Sequence, residues 1–434
     1  MKLTYSVLFL IMFLFGGSYL EAETVEEKYD NGKLKAKYSI NKDNEKHGSY
    51  TGYHEDGKKK KIKAKYKDGV LDDKYVEYDL KGKVVKETVY NMGKLHGLYQ
   101  EFEAKKLIVE KEYFNNFMLY GASTDVLDKK LKEIEALKPQ LNDKKKPIFE
   151  SYQEENLRNL KKYRYLSGVK FEHLEFDVTF NKQAMAAAKY ATLKYNGQVT
   201  GPGAPKGMTQ EEFNDASVGL LKCLQHYRTL AAGAYFVNIF SDYRWANAVR
   251  HVYPWDEIKN SVNRRYCLNP SLNKLGFGHS GVYDTFYCQD ESYKDEDFDH
   301  YAFPPKGFAP SSYYYSGAAW HICFNAEKYN EIDVSKLSIK VYQVKAKDFK
   351  KLSDKLDFKE ALIKAKYLDI EKMMPLKINV VNDGRMTGTR TVVFLPEGVV
   401  TTVGSKYLVE ISGMETVEGN EFSLSYLTEF YQNK

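Results

Sequence analysis

The sequence predicts a multidomain α+β protein. Three observations carry this: hairpin-forming segments that repeat through the first quarter, an alanine-faced helix near the middle, and alternating strands toward the end. At 434 residues the chain exceeds what one ordinary core organises. Its 43% hydrophobic and 29% charged residues are those of a soluble globular chain rather than a disordered or membrane one. A net charge of +6, from 65 basic and 59 acidic residues, gives no case for nucleic-acid binding without a local patch.

Residues 1–22 predict a secretory signal. Lys2 supplies the positive start, Val7 to Phe15 an apolar run, and Ala22 the cut site. The run is shorter than the roughly 20 residues a membrane span needs. No Cys follows it, which argues against a lipid anchor there, and no later segment is apolar enough to span a bilayer. The mature chain is therefore expected outside the cytoplasm, in the periplasm or cell envelope or released from the cell.

From 26 to 121 the sequence repeats. Tyr29-Asp-Asn-Gly-Lys, His54-Glu-Asp-Gly-Lys and Asp79-Leu-Lys-Gly-Lys open successive units, joined by Lys46-His-Gly, Lys67-Asp-Gly and Leu95-His-Gly. A period of about 25 residues with Asn-Gly and Asp-Gly turns between short Tyr/Val/Ile runs is hairpin chemistry. Single hairpins bury no core, so they are expected to stack into one sheet. The spacing resembles MORN repeats, in the looser variant of bacterial proteins labelled antitoxin-like. The lysines at 58–61, 63 and 65 are expected to form a solvated strand face that discourages edge pairing. An acidic polymer or lipid surface is the alternative. Residues 122–148 form a connector, with Val126, Leu127, Leu131, Ile134 and Leu137 at helical spacing.

In the middle, Ala184, Ala187, Ala188, Ala191 and Tyr195 share one helical face, which implies very close packing. Asn263-Arg-Arg-Tyr-Cys-Leu-Asn-Pro270 comes later, then Gly276-Phe-Gly278. With Tyr163-Arg164 and the Ala-rich helix running on to Gly201, these blocks resemble the CAP superfamily of cysteine-rich secretory, antigen 5 and pathogenesis-related 1 proteins, over 149–330. The resemblance implies an α-β-α sandwich with a cleft in which two His and two acidic residues can bind a divalent metal. The positions of the two His are here Gly201 and Asn263, and no Gly-Glu-Asn element is present. Glycine has no ligand atom and an amide is a poor substitute for imidazole, so no metal or other cofactor is expected. Cleft candidates are Gly201, Asn263, Arg264, His251, His279 and Asp242.

Cys223, Cys267, Cys288 and Cys323 fit no zinc spacing. In an oxidising compartment they permit two disulfides, for which Cys223–Cys267 with Cys288–Cys323 is the expectation and four buried thiols the alternative. Gly278-His-Ser-Gly281 lacks the last Gly of a nucleophile elbow. The histidines 226, 251, 279, 300 and 321 show no i, i+4 pairing. The acidic run Asp290 to Asp299 lacks the glycine and final glutamate of a calcium loop, and Ser311 to Ser316 offers tyrosines that suit packing as well as ligand contact. From 333 to 434, alternation at Leu337–Val341, Tyr407–Ile411 and Phe422–Phe430 predicts a small β-sandwich, with a helical insertion at Asp357–Ala365.

The functional expectation is a binding or scaffolding protein whose partner is an envelope or extracellular protein, a glycan or a lipid, and not nucleic acid; no catalytic residue is assigned. The alternatives are a hydrolase working through a non-standard cleft and a lipid or sterol carrier.

Overall fold

Turn chemistry fixes the ends of the first strands. In the computed structural model, which describes residues 23–137, 151–227, 261–281, 283–290, 298–314, 316–382 and 388–434, the Asn31, Asp56 and Asp79 carboxyl or amide oxygens accept backbone N–H bonds from residues two to four positions on. Such Asx turns close a hairpin without help from other parts of the chain. Nine strands result: β1 (Glu23–Lys28), β2 (Leu34–Ile40), β3 (Lys46–Tyr53), β4 (Lys60–Lys67), β5 (Val70–Tyr78), β6 (Val84–Asn91), β7 (Lys94–Glu103), β8 (Lys106–Phe114) and β9 (Phe117–Tyr120). They lie in chain order in one sheet. The chain divides into two compact units, 1–108 and 109–434.

In the first unit a repeat is two strands long, so equivalent atoms meet 24 residues apart. The Tyr29 hydroxyl donates to the Tyr53 carbonyl at 2.6 Å, and the His54 ring bonds the Tyr78 carbonyl at 3.1 Å. Little is buried beyond Ala36, Ala64, Val76 and Thr88. Ring contacts supply the packing instead: Tyr50 lies 5.8 Å from Tyr38 and 5.4 Å from Tyr66, and the Lys46 ammonium sits 4.7 Å from the Tyr38 ring centre. The lysine-rich β4 is paired on both sides, so its charges do not guard an edge.

The second unit holds three four-stranded sheets. Helix α1 (Thr124–Glu135) is capped by Ser123 and succeeded, after the undescribed 138–150, by α2 (Ser151–Leu166). Next come β10 (Glu175–Phe176), α3 (Val178–Tyr195), α4 (Gln210–Lys222), β11 (Cys223–Tyr227), α5 (Ser261–Cys267), β12 (Lys274–Ser280) and β13 (Tyr283–Tyr287). These strands form a sheet ordered β10-β12-β13-β11. The glycines of Gly276-Phe-Gly278 carry the α3 backbone directly on β12. A Cβ at 276 would stand 2.3 Å from the Phe180 carbonyl carbon, and one at 278 would stand 2.2 Å from that of Ala184. The alanine face of α3 and Gly219 of α4 permit an equally close approach of the two helices, since a Cβ at 219 would lie 2.2 Å from the Gln183 carbonyl oxygen.

The remaining strands are β14 (His300–Phe303), β15 (Gly307–Pro310), β16 (Trp320–Asn325), β17 (Ser338–Gln343), β18 (Leu376–Val381), β19 (Thr389–Pro396), β20 (Lys406–Glu415) and β21 (Glu421–Tyr431), with α6 (Phe358–Lys364) between β17 and β18. They make two sheets, β14-β16-β19-β18 and β15-β21-β20-β17. Trp320, Phe394, Tyr407 and Phe430 lie in the apolar cluster shared by these strands, which also takes in Leu160 and Tyr163 of α2 and Phe277 of β12.

The expected fold class is thereby corrected. The chain is predominantly β, with a nine-stranded sheet and further four-stranded sheets, and residues 149–330 do not make an α-β-α sandwich. Segments 307–310 and 320–325 instead hydrogen-bond with strands from the last fifty residues, β15 in parallel with β21 and β16 with β19, and segment 300–303 joins the same sheet through β16. Nor is the C-terminal sheet pair built from 333–434 alone, because β14, β15 and β16 supply three of its eight strands. No helix among the described residues is long and apolar enough to cross a membrane.

Candidate functional site

A cleft of about 640 Å³ opens beside α3, lined by Gln153 of α2, residues of α3 and α4, and His279 and Ser280 of β12. Local sequence fixes each wall. Asp177 caps α3 by accepting the Thr179 and Phe180 N–H groups at 2.8 and 3.0 Å. Thr209 and Glu212 form a reciprocal capping box at the start of α4. Glu212 also meets Lys189 of α3 at 2.8 Å, which holds its carboxyl below the usual range and ties the two helices together. Gln153 donates to the Phe277 carbonyl at 2.6 Å, fixing α2 to β12.

His279 is the pivotal group. The Gly281 turn, at φ +54°, pairs β12 with β13 so that His279 faces Asp284 in register. The His279 Nδ1 lies 2.7 Å from the Asp284 carboxylate. Asp284 is 4% exposed, whereas the His279 side chain is 30% exposed and lines the cleft. A buried carboxylate on one ring nitrogen orients the imidazole and favours the tautomer whose other nitrogen can accept. On its other side Asp284 is in register with His226 of β11. Across the cleft stand Glu211 and Asp215 of α4 and Lys182 of α3, none of them in an ion pair with a described residue.

Of the cleft candidates among the described residues, His279 lines this cleft and Gly201 and Arg264 do not. His251 and Asp242 lie outside the described residues. Asn263 is in α5, within a stretch whose side chains are undescribed. Gly201 sits in an exposed loop with nothing within 4 Å of where a Cβ would stand. Arg264 lies in the core instead of the cleft: fully buried, it donates to the Ala319 carbonyl at 2.7 Å and stacks 4.1 Å over the Phe303 ring. His321, beside it at 3.4 Å, is held well below its ordinary pKa by burial and by the two arginines of α5.

The four cysteines are buried free thiols, so the pairs Cys223–Cys267 and Cys288–Cys323 are not formed. Cys223 packs with Ala184 and Tyr287, while the other three belong to the main core cluster, and Cys288 lies near enough to act electrostatically on both Cys223 and Cys267. Burial pushes the thiols of Cys223, Cys267 and Cys323 up. In the acidic run, Asp290 accepts the Lys274 N–H at 2.6 Å and Asp299 pairs with Lys328 at 2.8 Å, with 291–297 outside the described residues. Among the described residues no three His, Cys, Asp or Glu side chains converge as a metal site.

A second, smaller cavity of about 290 Å³ lies near the end of α2, with His300 and Lys306 on its wall. Burial lowers the His300 pKa to about 4, helped by the charge of Lys306, and burial lowers Lys306 to about 8. The unfolded chain takes up the His300 proton near its ordinary value while the folded chain resists it, so stability is lost as pH falls from 6.5 toward 4. His300→Gln is expected to flatten that part of the stability profile, measured as urea midpoints at successive pH values. An unchanged slope in the variant would place the acid sensitivity elsewhere.

No family model matches the chain, and no curated protein matches it. Among solved structures it is similar to a cysteine-rich secretory protein from Staphylococcus aureus subsp. aureus Mu50. The two share 11% identity over 61% of this chain and 83% of that one, at a TM-score of 0.16. That neighbour belongs to the CAP group, and a likeness so low carries no argument about function.

Asp284, Glu211, Asp215 and Lys182 escaped the sequence reading. Asp284 had a signal: in a tight hairpin turning at Gly281, position 279 faces position 284. The α4 acids had none, because nothing local says that α4 packs on α3.

Proposed function

We propose that the chain is an exported binding protein that holds a peptide or similarly zwitterionic ligand in the α3–α4–β12 cleft, in the cell envelope or outside the cell. The observation that carries this reading is the meeting, in a space of ligand size, of an oriented imidazole with one ammonium and two carboxylates that have no ion-pair partners among the described residues. Glu211 and Asp215 suit an amine, while Lys182 suits a carboxylate. Such mixed charge favours a polar ligand over a lipid or sterol. Export rests on the Lys2 and Val7–Phe15 pattern. Family membership in the CAP superfamily with MORN-like repeats rests on the Asn263–Pro270 and Gly276–Gly278 blocks and the hairpin repeats.

Calorimetric titration with tri- and tetra-alanine tests the reading. Saturable binding is expected, weakened about tenfold or more when Glu211→Gln and Asp215→Asn remove the acidic wall together. Absent binding, or binding equal in the double variant, would refute it. The His279–Asp284 pair favours one further reading, a hydrolase in which His279 activates water. Peptide cleavage that disappears in His279→Gln while binding persists would select that reading.

A further inference from the structure

The lysines of β2 and β4 gather on one face of the first unit's sheet. Lys37 is in register with Thr51 of β3, and Thr51 with Lys63; Ser49 is in register with Lys65, and Lys35 lies two residues before Lys37. Alternate residues of a strand share a face, so Lys35, Lys37, Lys63 and Lys65 lie on one side, and all four are exposed. Residues 58–67 hold seven lysines and no acidic residue. Like charges set this close repel one another, and with β4 paired on both sides they guard no edge. Lys37 meets Glu26 at 2.9 Å and Lys65 meets Asp73, whereas Lys35 and Lys63 are in no ion pair with a described residue.

The borders and the floor of this basic strip select its ligand. Glu26 of β1 flanks it on one side, and Asp73 of β5 and Glu87 of β6 on the other. A plane of anionic headgroups laid on this face would meet those acids as well as the lysines; a single chain following the strip would not. The space between the four lysines holds the hydroxyls of Ser49 and Thr51 and no ring, since Tyr38, Tyr50 and Tyr75 share a cross-strand row on the opposite face. Residues 23–108 also contain no arginine. Bases and sugar rings are held by stacking on aromatic side chains, and base edges by the arginine fork, neither of which this strip offers.

We propose that this strip binds a linear polyol-phosphate polymer, its phosphates on Lys35, Lys37, Lys63 and Lys65 and its polyol linkers against Ser49 and Thr51. The strip belongs to the first unit and the α3–α4–β12 cleft to the second, so failure of either proposal leaves the other standing.

Calorimetric titration of the full chain with poly(glycerol phosphate) tests it, beside oligothymidylate, polygalacturonate and phosphatidylglycerol vesicles. Saturable binding of the polyol phosphate is expected, tighter than that of the other three. Its affinity is expected to fall with salt, by roughly 0.7 log units per log unit of salt for each lysine engaged. Lys35→Gln with Lys63→Gln is expected to weaken binding about tenfold or more and to make the salt dependence shallower. Lys46→Gln with Lys86→Gln removes two charges from the tyrosine face and is expected to change affinity by less than about twofold. Absence of saturable binding, an equal loss in the two double variants, or any of the other three probes binding as tightly as the polyol phosphate would each overturn the proposal.

Discussion

Gly278→Ala is expected to destabilise the second unit by about 3 kcal/mol or more, at or beyond the upper end of what overpacking costs. The added methyl would stand 2.2 Å from both the carbonyl carbon and the carbonyl oxygen of Ala184, and 2.5 Å from the amide nitrogen of Met185. These are backbone atoms, so no side chain can rotate aside. Either α3 lifts off β12 or the strand bends, and both outcomes open the contact that carries His279 into the cleft. Relief by moving α3 is restricted, because its other side meets α4 through Gly219 at a comparable distance. Urea unfolding followed by tryptophan fluorescence measures the loss, with Trp320 buried in the core as one reporter. Gly201→Ala is the matched control: nothing lies within 4 Å of the added carbon, and its effect is expected within about 0.5 kcal/mol. Equal midpoints for Gly278→Ala and the unsubstituted chain would mean that α3 and β12 do not pack this closely.

Arg164→Ala is the second large effect, again about 3 kcal/mol or more. The side chain is fully buried near the end of α2. Its Nε donates to the Lys170 carbonyl at 2.8 Å, and one terminal nitrogen donates to the carbonyls of Cys267 and Asn269 at 3.1 and 2.6 Å. One guanidinium therefore closes the turn after α2, where Gly168 adopts φ +75°, and ties it to the end of α5. Truncation leaves those carbonyls short of a donor and opens a void. Arg164→Lys is expected to recover only part of the loss, because an ammonium cannot span the fork. Denaturant midpoints for the three proteins check this order; full recovery by lysine would show that charge alone matters at this position.

These two residues also show which parts of the sequence were legible. Tyr163-Arg164, the alanine face and Gly276-Phe-Gly278 stood out as blocks, and each proves to be a packing device. Their spacing says that something approaches closely; it does not say which element, and here α3 lies on β12. Hairpins in 23–120 were legible because the turn residues act within a few positions of themselves. Strands β14, β15 and β16 were not, for a different reason. Trp320 to Asn325 is buried on every residue, so the period-two alternation that marks a half-exposed strand is missing. Without it, the segment is assigned by sequence order to the preceding domain, and the pairing of β16 with β19 some seventy residues on stays hidden. The cleft was half legible for the same reason of range: His279 and Asp284 need only a hairpin register, but Glu211, Asp215 and Lys182 need the packing of two helices.

The 24-residue interval between Tyr29 and Tyr53, and again between His54 and Tyr78, has an evolutionary consequence. Because one repeat spans two antiparallel strands, gain or loss of a whole repeat restores both chain direction and the sidedness of every ring. Gain or loss of a single strand inverts the direction of every strand after it. Unequal recombination between such segments therefore yields longer or shorter arrays that still close properly, and descendants of this gene are expected to differ by multiples of that interval rather than by single strands.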